Sequence, residues 1–203
     1  MKLRSALITF KTFFKAKITY LIFILIFLTY DGMSQIRYEV QTLLNTNQSR
    51  IEIACSQIGV REETSRLQII SYLNRVGIKW MAPWCAAFQY WVYDEASKKL
   101  CIQNTLPRTA VANAYFDYGK SKGKRTSYKA NAGDLIVWKS DSWAGHIGIV
   151  VRQVSKQTVE TIEGNTSSLS VRTGGAVESK VRSIYHPIGK LKVRGLIGFS
   201  NGR

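Results

Sequence analysis

A chain of 203 residues with 29 basic and 13 acidic side chains carries a formal charge of +16. That length suits one domain able to bury roughly two thirds of its unfolded surface, and it excludes two or more independent domains. Two histidines and three cysteines without CxxC or HxxxH spacing do not make a closed zinc site, and no glycine-rich phosphate loop or dinucleotide fingerprint is present. No metal or nucleotide cofactor is therefore expected.

In chain order, residues 1 to 34 have the pattern of a targeting segment. Lys2, Arg4, Lys11, Lys15 and Lys17 precede the uncharged apolar run Ile18 to Tyr30, and small Gly32 and Ser34 follow. The run is short for a bilayer span, so a signal peptide cleaved after Ser34 is expected. A retained segment would instead anchor the protein in the inner membrane. Residues 35 to 203 then form a single domain, periplasmic or secreted, with 24 basic against 12 acidic side chains. An exported protein seldom meets nucleic acid, so that charge points to acidic envelope polymers as partners.

Ile51, Ala54, Cys55 and Ile58 repeat at helical spacing, and Leu67, Ile70, Leu73 and Val76 repeat before Gly77 stops the run. Pro83 suits the opening of a third helix, for which Trp84, Phe88, Trp91, Val92 and Ala96 supply an apolar stripe. Ala110 to Tyr118 predicts a fourth. After a basic loop at 121–129, runs rich in β-branched residues follow at 134–138, 146–151, 158–163, 180–185 and 193–199. The order predicts an α+β fold, N-terminal helices packed on a C-terminal antiparallel sheet.

The chemistry gathers in three strings. Cys85, two residues after Pro83, falls in the first turn of the third helix, where unpaired amides and the macrodipole favour a thiolate. His146 in WAGHIGIVV starts a strand behind a glycine, whereas His186 in YHPIG sits in a surface loop. A nucleophile and base need a third group to hold the imidazole tautomer. In VETIEGN, Val159, Thr161 and Glu163 share one strand face, with Glu163 and Asn165 at the strand end and Glu160 on the opposite, solvated face. Cys55 is expected on the apolar face of the first helix and Cys101 after the end of the third. With three cysteines in an oxidising compartment, either one pair and one free thiol or three free thiols are open.

APWCAAFQYWV, GDLIVW, GHIGIVV and EGN, in this order, resemble the CHAP family of cysteine amidases and peptidases, in the papain-like and NlpC-type superfamily. GVREETSRLQIISYL resembles its helical lead-in, with Ser65 and Arg66 where many members have glycine and asparagine, and GGAVESKVR resembles its late strand pair. The resemblance implies a papain-like fold with Cys85 as nucleophile, His146 as base and then acid, Glu163 orienting the histidine and Asn165 as a fourth polar member. It implies hydrolysis of an amide in peptidoglycan through a thioester, by an N-acetylmuramoyl-L-alanine amidase or an endopeptidase, with a lean to the amidase. Trp80, Trp84 and Trp143 flank the motifs, and Trp84 and Trp143 are expected to bind substrate. A monomer is expected, with peptidoglycan as its partner. Two other readings share the sequence: an antibacterial amidase toxin, whose partner would be an immunity protein, and a non-catalytic wall-binding module.

Overall fold

In the computed structural model the described residues are 31–124, 126–127, 129–166 and 175–199. The expected export segment lies outside them up to residue 30, as do positions 125 and 128 of the basic loop. Residues 31–55 are helical (α1), and the division into two compact units falls within that helix, after Thr42. The packing that follows is that of the second unit, Leu43–Arg203. No helix among the described residues is long and apolar enough to cross a membrane.

α1 buries Ile51 and Ala54. It ends at residue 55, and the chain turns through Gly59 at φ 94°. Ile58 therefore leaves the helical repeat and stays exposed, and Cys55 is exposed as well, so neither joins the core as its spacing predicted. The next residues pair with the start of a later strand: the Gly59 amide donates to the Val177 carbonyl and the Glu62 amide to that of Gly175, each at 3.0 Å.

Helix α2 spans Arg66–Arg75 and stops at Gly77, whose φ of 86° favours glycine. Its fully buried residues are Ile69, Tyr72 and Leu73, with Ile70 and, just past the helix, Val76 packed against the core as their spacing predicted, while Leu67 is 87% exposed, which corrects its expected place in the apolar stripe. Both spacings fit a helix. Tyr72 decides between them, because its ring meets Trp84, Phe88 and Trp91 at 5.0–5.9 Å and its hydroxyl donates to Gln57 Oε1 at 2.7 Å.

Helix α3 spans Cys85–Lys99 and α4 spans Ala112–Ser121. The strands are β1 (Thr126–Ser127), β2 (Leu135–Lys139), β3 (Gly145–Gln153), β4 (Thr158–Thr166), β5 (Ala176–Ser183) and β6 (Lys192–Ile197). They form one sheet in the order β1-β6-β2-β3-β4-β5, antiparallel at every pairing. The α+β architecture is the expected one, with β1 as a strand the patterning missed.

Period two assigns the two sheet faces different work. Leu135, Val137, Ile147, Ile149, Ile162 and Val177 face the helices and pack with Phe88, Val92 and Tyr115. Ile136, Trp138, Val150 and Val159 face the other way, against Ile184, Leu196 and the 188–193 segment.

Gly164 explains how closely α3 lies on β4. A Cβ there would stand 2.7 Å from Trp84 Cζ3 and 2.8 Å from Phe88 Cβ, so the glycine of EGN lets the first two turns of α3 touch the strand. Gly164→Ala should destabilise the fold by about 1–3 kcal/mol through overpacking, measured by urea unfolding. A change below about 0.5 kcal/mol would show that the helix yields freely.

Candidate active site

Cys85 is the first residue of α3, and Trp84 precedes it as a cap with no side-chain hydrogen bond and no acid in the first turn. The unpaired amides of that turn and the positive end of the helix dipole are left beside the thiol, which is 5% exposed. Two aromatic residues fix the turn. Tyr115 Oη lies 3.0 Å from the Ala86 carbonyl and 2.9 Å from that of Thr109. Trp84 Nε1 donates to Glu62 Oε1 at 2.7 Å.

Trp84 is fully buried among Tyr72, Phe88 and the strand at Gly164, which corrects its expected place in a substrate groove. Its large apolar ring anchors the helix start from beneath. Trp143 is 79% exposed, in the loop that leads to β3, with its carbonyl 3.5 Å from Asn113 Nδ2. Trp80 is exposed too.

His146 is the second residue of β3, opposite Trp138, and the two rings lie 5.7 Å apart. Gly145 is needed before it: a Cβ there would come within 2.9 Å of the Trp138 carbonyl and 3.1 Å of Asn113 Nδ2. The Gly145 carbonyl in turn lies 4.0 Å from Cys85 Sγ, which places α3 and the start of β3 in register.

Glu163 is the cross-strand partner of Gly148, so it lies diagonal to His146 on the same face. Gly148 has no side chain to obstruct that diagonal; a Cβ would stand 2.7 Å from Glu163 Cγ. His146 Nε2 reaches Glu163 Oε2 at 2.9 Å. An ionised carboxylate only accepts, so Nε2 carries a proton and Nδ1 is the ring nitrogen that Glu163 leaves free for another group.

The carboxylate has two further partners that sequence reasoning did not assign. Thr161 Oγ1 donates to Oε1 at 2.7 Å, and Arg182 on β5 donates from Nε to Oε1 at 2.8 Å and from Nη2 to Oε2 at 2.7 Å. A signal existed. Glu178, Lys180 and Arg182 put three charges on one face of a strand, at the period reserved for core positions, and such charges need partners.

Burial alone would lower the His146 pKa, but hydrogen bonds and charge from Cys85 and Glu163 outweigh it and raise it to about 10. Burial would raise that of Glu163; Arg182 and then His146 outweigh it and bring it down to about 2. The site thus holds an imidazolium beside the ionised Glu163 carboxylate at neutral pH.

Asn165 sits at the irregular end of β4 with φ 53°, half-buried, its amide beside Gly175. It makes no hydrogen bond to His146. Glu160 does face away from Glu163, but it is bonded to Arg152 at 2.8 Å and to Ser179 at 3.0 Å. His186 is exposed, as are Cys55 and Cys101, and all three cysteines are free thiols. No cluster of three His, Cys, Asp or Glu side chains among the described residues is placed to hold a metal ion.

A thiol at a helix start, an imidazole on a nearby strand and a buried carboxylate behind it, on an antiparallel α+β frame, are the groups from which nucleophile, base and orienting acid can be built. Residues 77–165 match the family model of the CHAP domain. CHAP domains are in general cysteine amidases or peptidases acting on peptidoglycan. The matched stretch holds Cys85, His146, Glu163 and Asn165 and ends before β5. No curated protein matches the chain.

The two shifted groups give stability opposite pH limits. Glu163, lowered from 4.5 to about 2, contributes fully above its unfolded value and loses that contribution as pH falls toward 2. His146, raised from 6.5 to about 10, contributes fully below its unfolded value and loses it as pH rises toward 10. The difference in Tm between wild type and Glu163→Gln should be largest between those unfolded values, near pH 4.5 to 6.5, and shrink on both sides. A difference flat from about pH 3 to about pH 9 would contradict the pairing.

Gly148→Ala should displace the Glu163 side chain and lower activity more than it lowers Tm. Equal activity at equal stability would show that the diagonal tolerates a methyl group.

Proposed function

We propose that this protein is an exported cysteine hydrolase that cleaves an amide bond of peptidoglycan through a thioester. One observation carries the reading: His146 is hydrogen-bonded to the buried Glu163 carboxylate at 2.9 Å, and the carbonyl of the residue before it lies 4.0 Å from the Cys85 thiol at the start of a helix. A wall-binding module would have no use for that arrangement.

In the proposed reaction, the Cys85 thiolate attacks the scissile carbonyl. The oxyanion that forms is held by unpaired amides at the α3 start, such as that of Cys85 itself, which already point where charge develops. His146 gives its Nδ1 proton to the departing amine and then takes one from the water that hydrolyses the thioester. Glu163 accepts from Nε2 throughout, which keeps the other nitrogen facing the thiol.

The wall beside the site suits an acidic peptide. Trp143 is exposed there, and the register partners Lys139 and Lys192 on β2 and β6 are both exposed, with Asp141 bonded to Lys192 at 3.2 Å. Stem-peptide carboxylates near the scissile bond would meet those cations.

Cys85→Ala and His146→Ala should each lower hydrolysis of purified peptidoglycan by at least about 10³-fold, and Glu163→Gln by a smaller factor, because an amide still orients the ring. EDTA should leave the rate unchanged. Activity that survives Cys85→Ala but not EDTA would overturn the cysteine mechanism. Product masses separate the two bonds. An amidase releases whole stem peptides and leaves bare glycans, whereas an endopeptidase leaves peptide stubs on the sugar.

A further inference from the structure

Arg182 lies on β5, outside the stretch that matches the CHAP model, and no hydrogen bond joins it to Cys85 or His146. Its guanidinium nevertheless makes two of the four hydrogen bonds to Glu163. Each carboxylate oxygen takes one bond from Arg182; Thr161 completes Oε1 and His146 completes Oε2. With about two acceptor positions per oxygen, the carboxylate is saturated.

We propose that Arg182 is a positioning residue: by filling one acceptor position on each oxygen of Glu163 it keeps that carboxylate ionised and aimed at His146, and so sets the pH range in which Cys85 and His146 work as a pair. The proposal rests on the Cys85–His146–Glu163 reading of the site.

Three observations support it. The Glu163 side chain has no exposed area, while that of Arg182 is 20% exposed, so the arginine reaches inward from the sheet surface to a charge that water does not reach. A buried carboxylate without a counter-charge takes up a proton. A protonated Glu163 could donate to Nε2, which would put the imidazole proton on Nδ1 and remove the base from the thiol.

Second, the residue opposite Glu163 on β5 is another acid, Glu178. Like charges directly across a sheet repel, and here each acid has its own cations. Glu178 is 2.5 Å from Lys180 Nζ and 3.8 Å from Arg61 Nη2. Arg182 and His146 serve Glu163. The charged and titratable groups around Glu163 are therefore His146 from β3, Cys85 from α3, and Glu178, Lys180 and Arg182 from β5, with Arg61 beyond Glu178; Tyr115 on α4 feels Cys85.

Third, the geometry is two-pronged. Nε and Nη2 address different carboxylate oxygens, which fixes the carboxylate's orientation as well as its charge. A lysine supplies the charge but not the fork.

The sign follows directly. Removing a cation makes Cys85, His146 and Glu163 each hold a proton more tightly, so every titration of the group moves to higher pH. A residue that only stabilised the β4–β5 pairing would lower Tm and move none of them.

The test is the rate of Cys85 alkylation by iodoacetamide against pH, in the full chain, resolved by peptide mass from Cys55 and Cys101. It needs no peptidoglycan. Arg182→Gln should move the midpoint of the rate's rise up by about one unit. Arg182→Lys should hold the midpoint near wild type and still lower kcat on peptidoglycan. In a Glu163→Gln background, Arg182→Gln should cause no further loss of kcat, because no charge remains to be held.

A folded Arg182→Gln with an unmoved midpoint, or an undiminished further loss in the double variant, would overturn the proposal. Should Arg182→Gln fail to fold, Arg182→Lys decides: a midpoint moved by a full unit despite the retained charge would overturn it. A shifted midpoint in a protein that leaves peptidoglycan intact would defeat the proposed substrate and leave the role of Arg182 standing.

Discussion

The Glu163 carboxylate is the charge around which the domain is arranged. It has no exposed area and shares a sheet face with Trp138, Val150 and Val159, where an unpaired anion costs several kcal/mol. Its ionised state needs donors from every side. β4 supplies Thr161, β3 supplies His146 and β5 supplies Arg182, so the register of three strands is tied to one side chain. A slip of one residue in either pairing would turn a donor to the helix face and leave the charge uncompensated.

The same constraint accounts for the glycines near the site. Gly148 clears the diagonal from Glu163 to His146, Gly164 lets α3 lie on β4, and Gly145 fits between Trp138, Ala112 and Asn113. Each gives up side-chain packing for proximity. In return the helix start carrying the thiol and the strand carrying the imidazole come together, with the Gly145 carbonyl 4.0 Å from Cys85 Sγ, fully buried Trp84 beneath and Tyr115 tying the Ala86 carbonyl to the Thr109 loop. The thiol is thus held by aromatic packing and the imidazole by a charge network, from opposite faces of one sheet.

Loss of either support has a distinct signature. Slack in the packing would move the thiol and weaken one of the two influences that raise the His146 pKa, whereas a change in the charge network would alter protonation without moving the thiol. The second support draws on Arg182 of β5, which lies beyond the stretch that matches the family model, so one member of the charge network comes from a part of the chain outside the matched motif.

The sequence by itself determined the order of helices before strands, the α+β class and the candidates Cys85 and His146, with Glu163 and Asn165 both open as the orienting group until the resemblance favoured Glu163. These are local properties: period-two and helical spacings, a proline ahead of Cys85, a glycine ahead of His146, and one strand face shared by Thr161 and Glu163. It named Trp84 as a groove residue, because composition shows that a tryptophan is present but not which side of a helix start it occupies. It placed Leu67 inside α2, because two helical phases fit and only the contacts of Tyr72 choose between them. Arg182 was visible only as one of alternating charges. Its partner stands 19 residues earlier, and a contact at that separation is fixed by the pairing of β4 with β5, which no local pattern encodes.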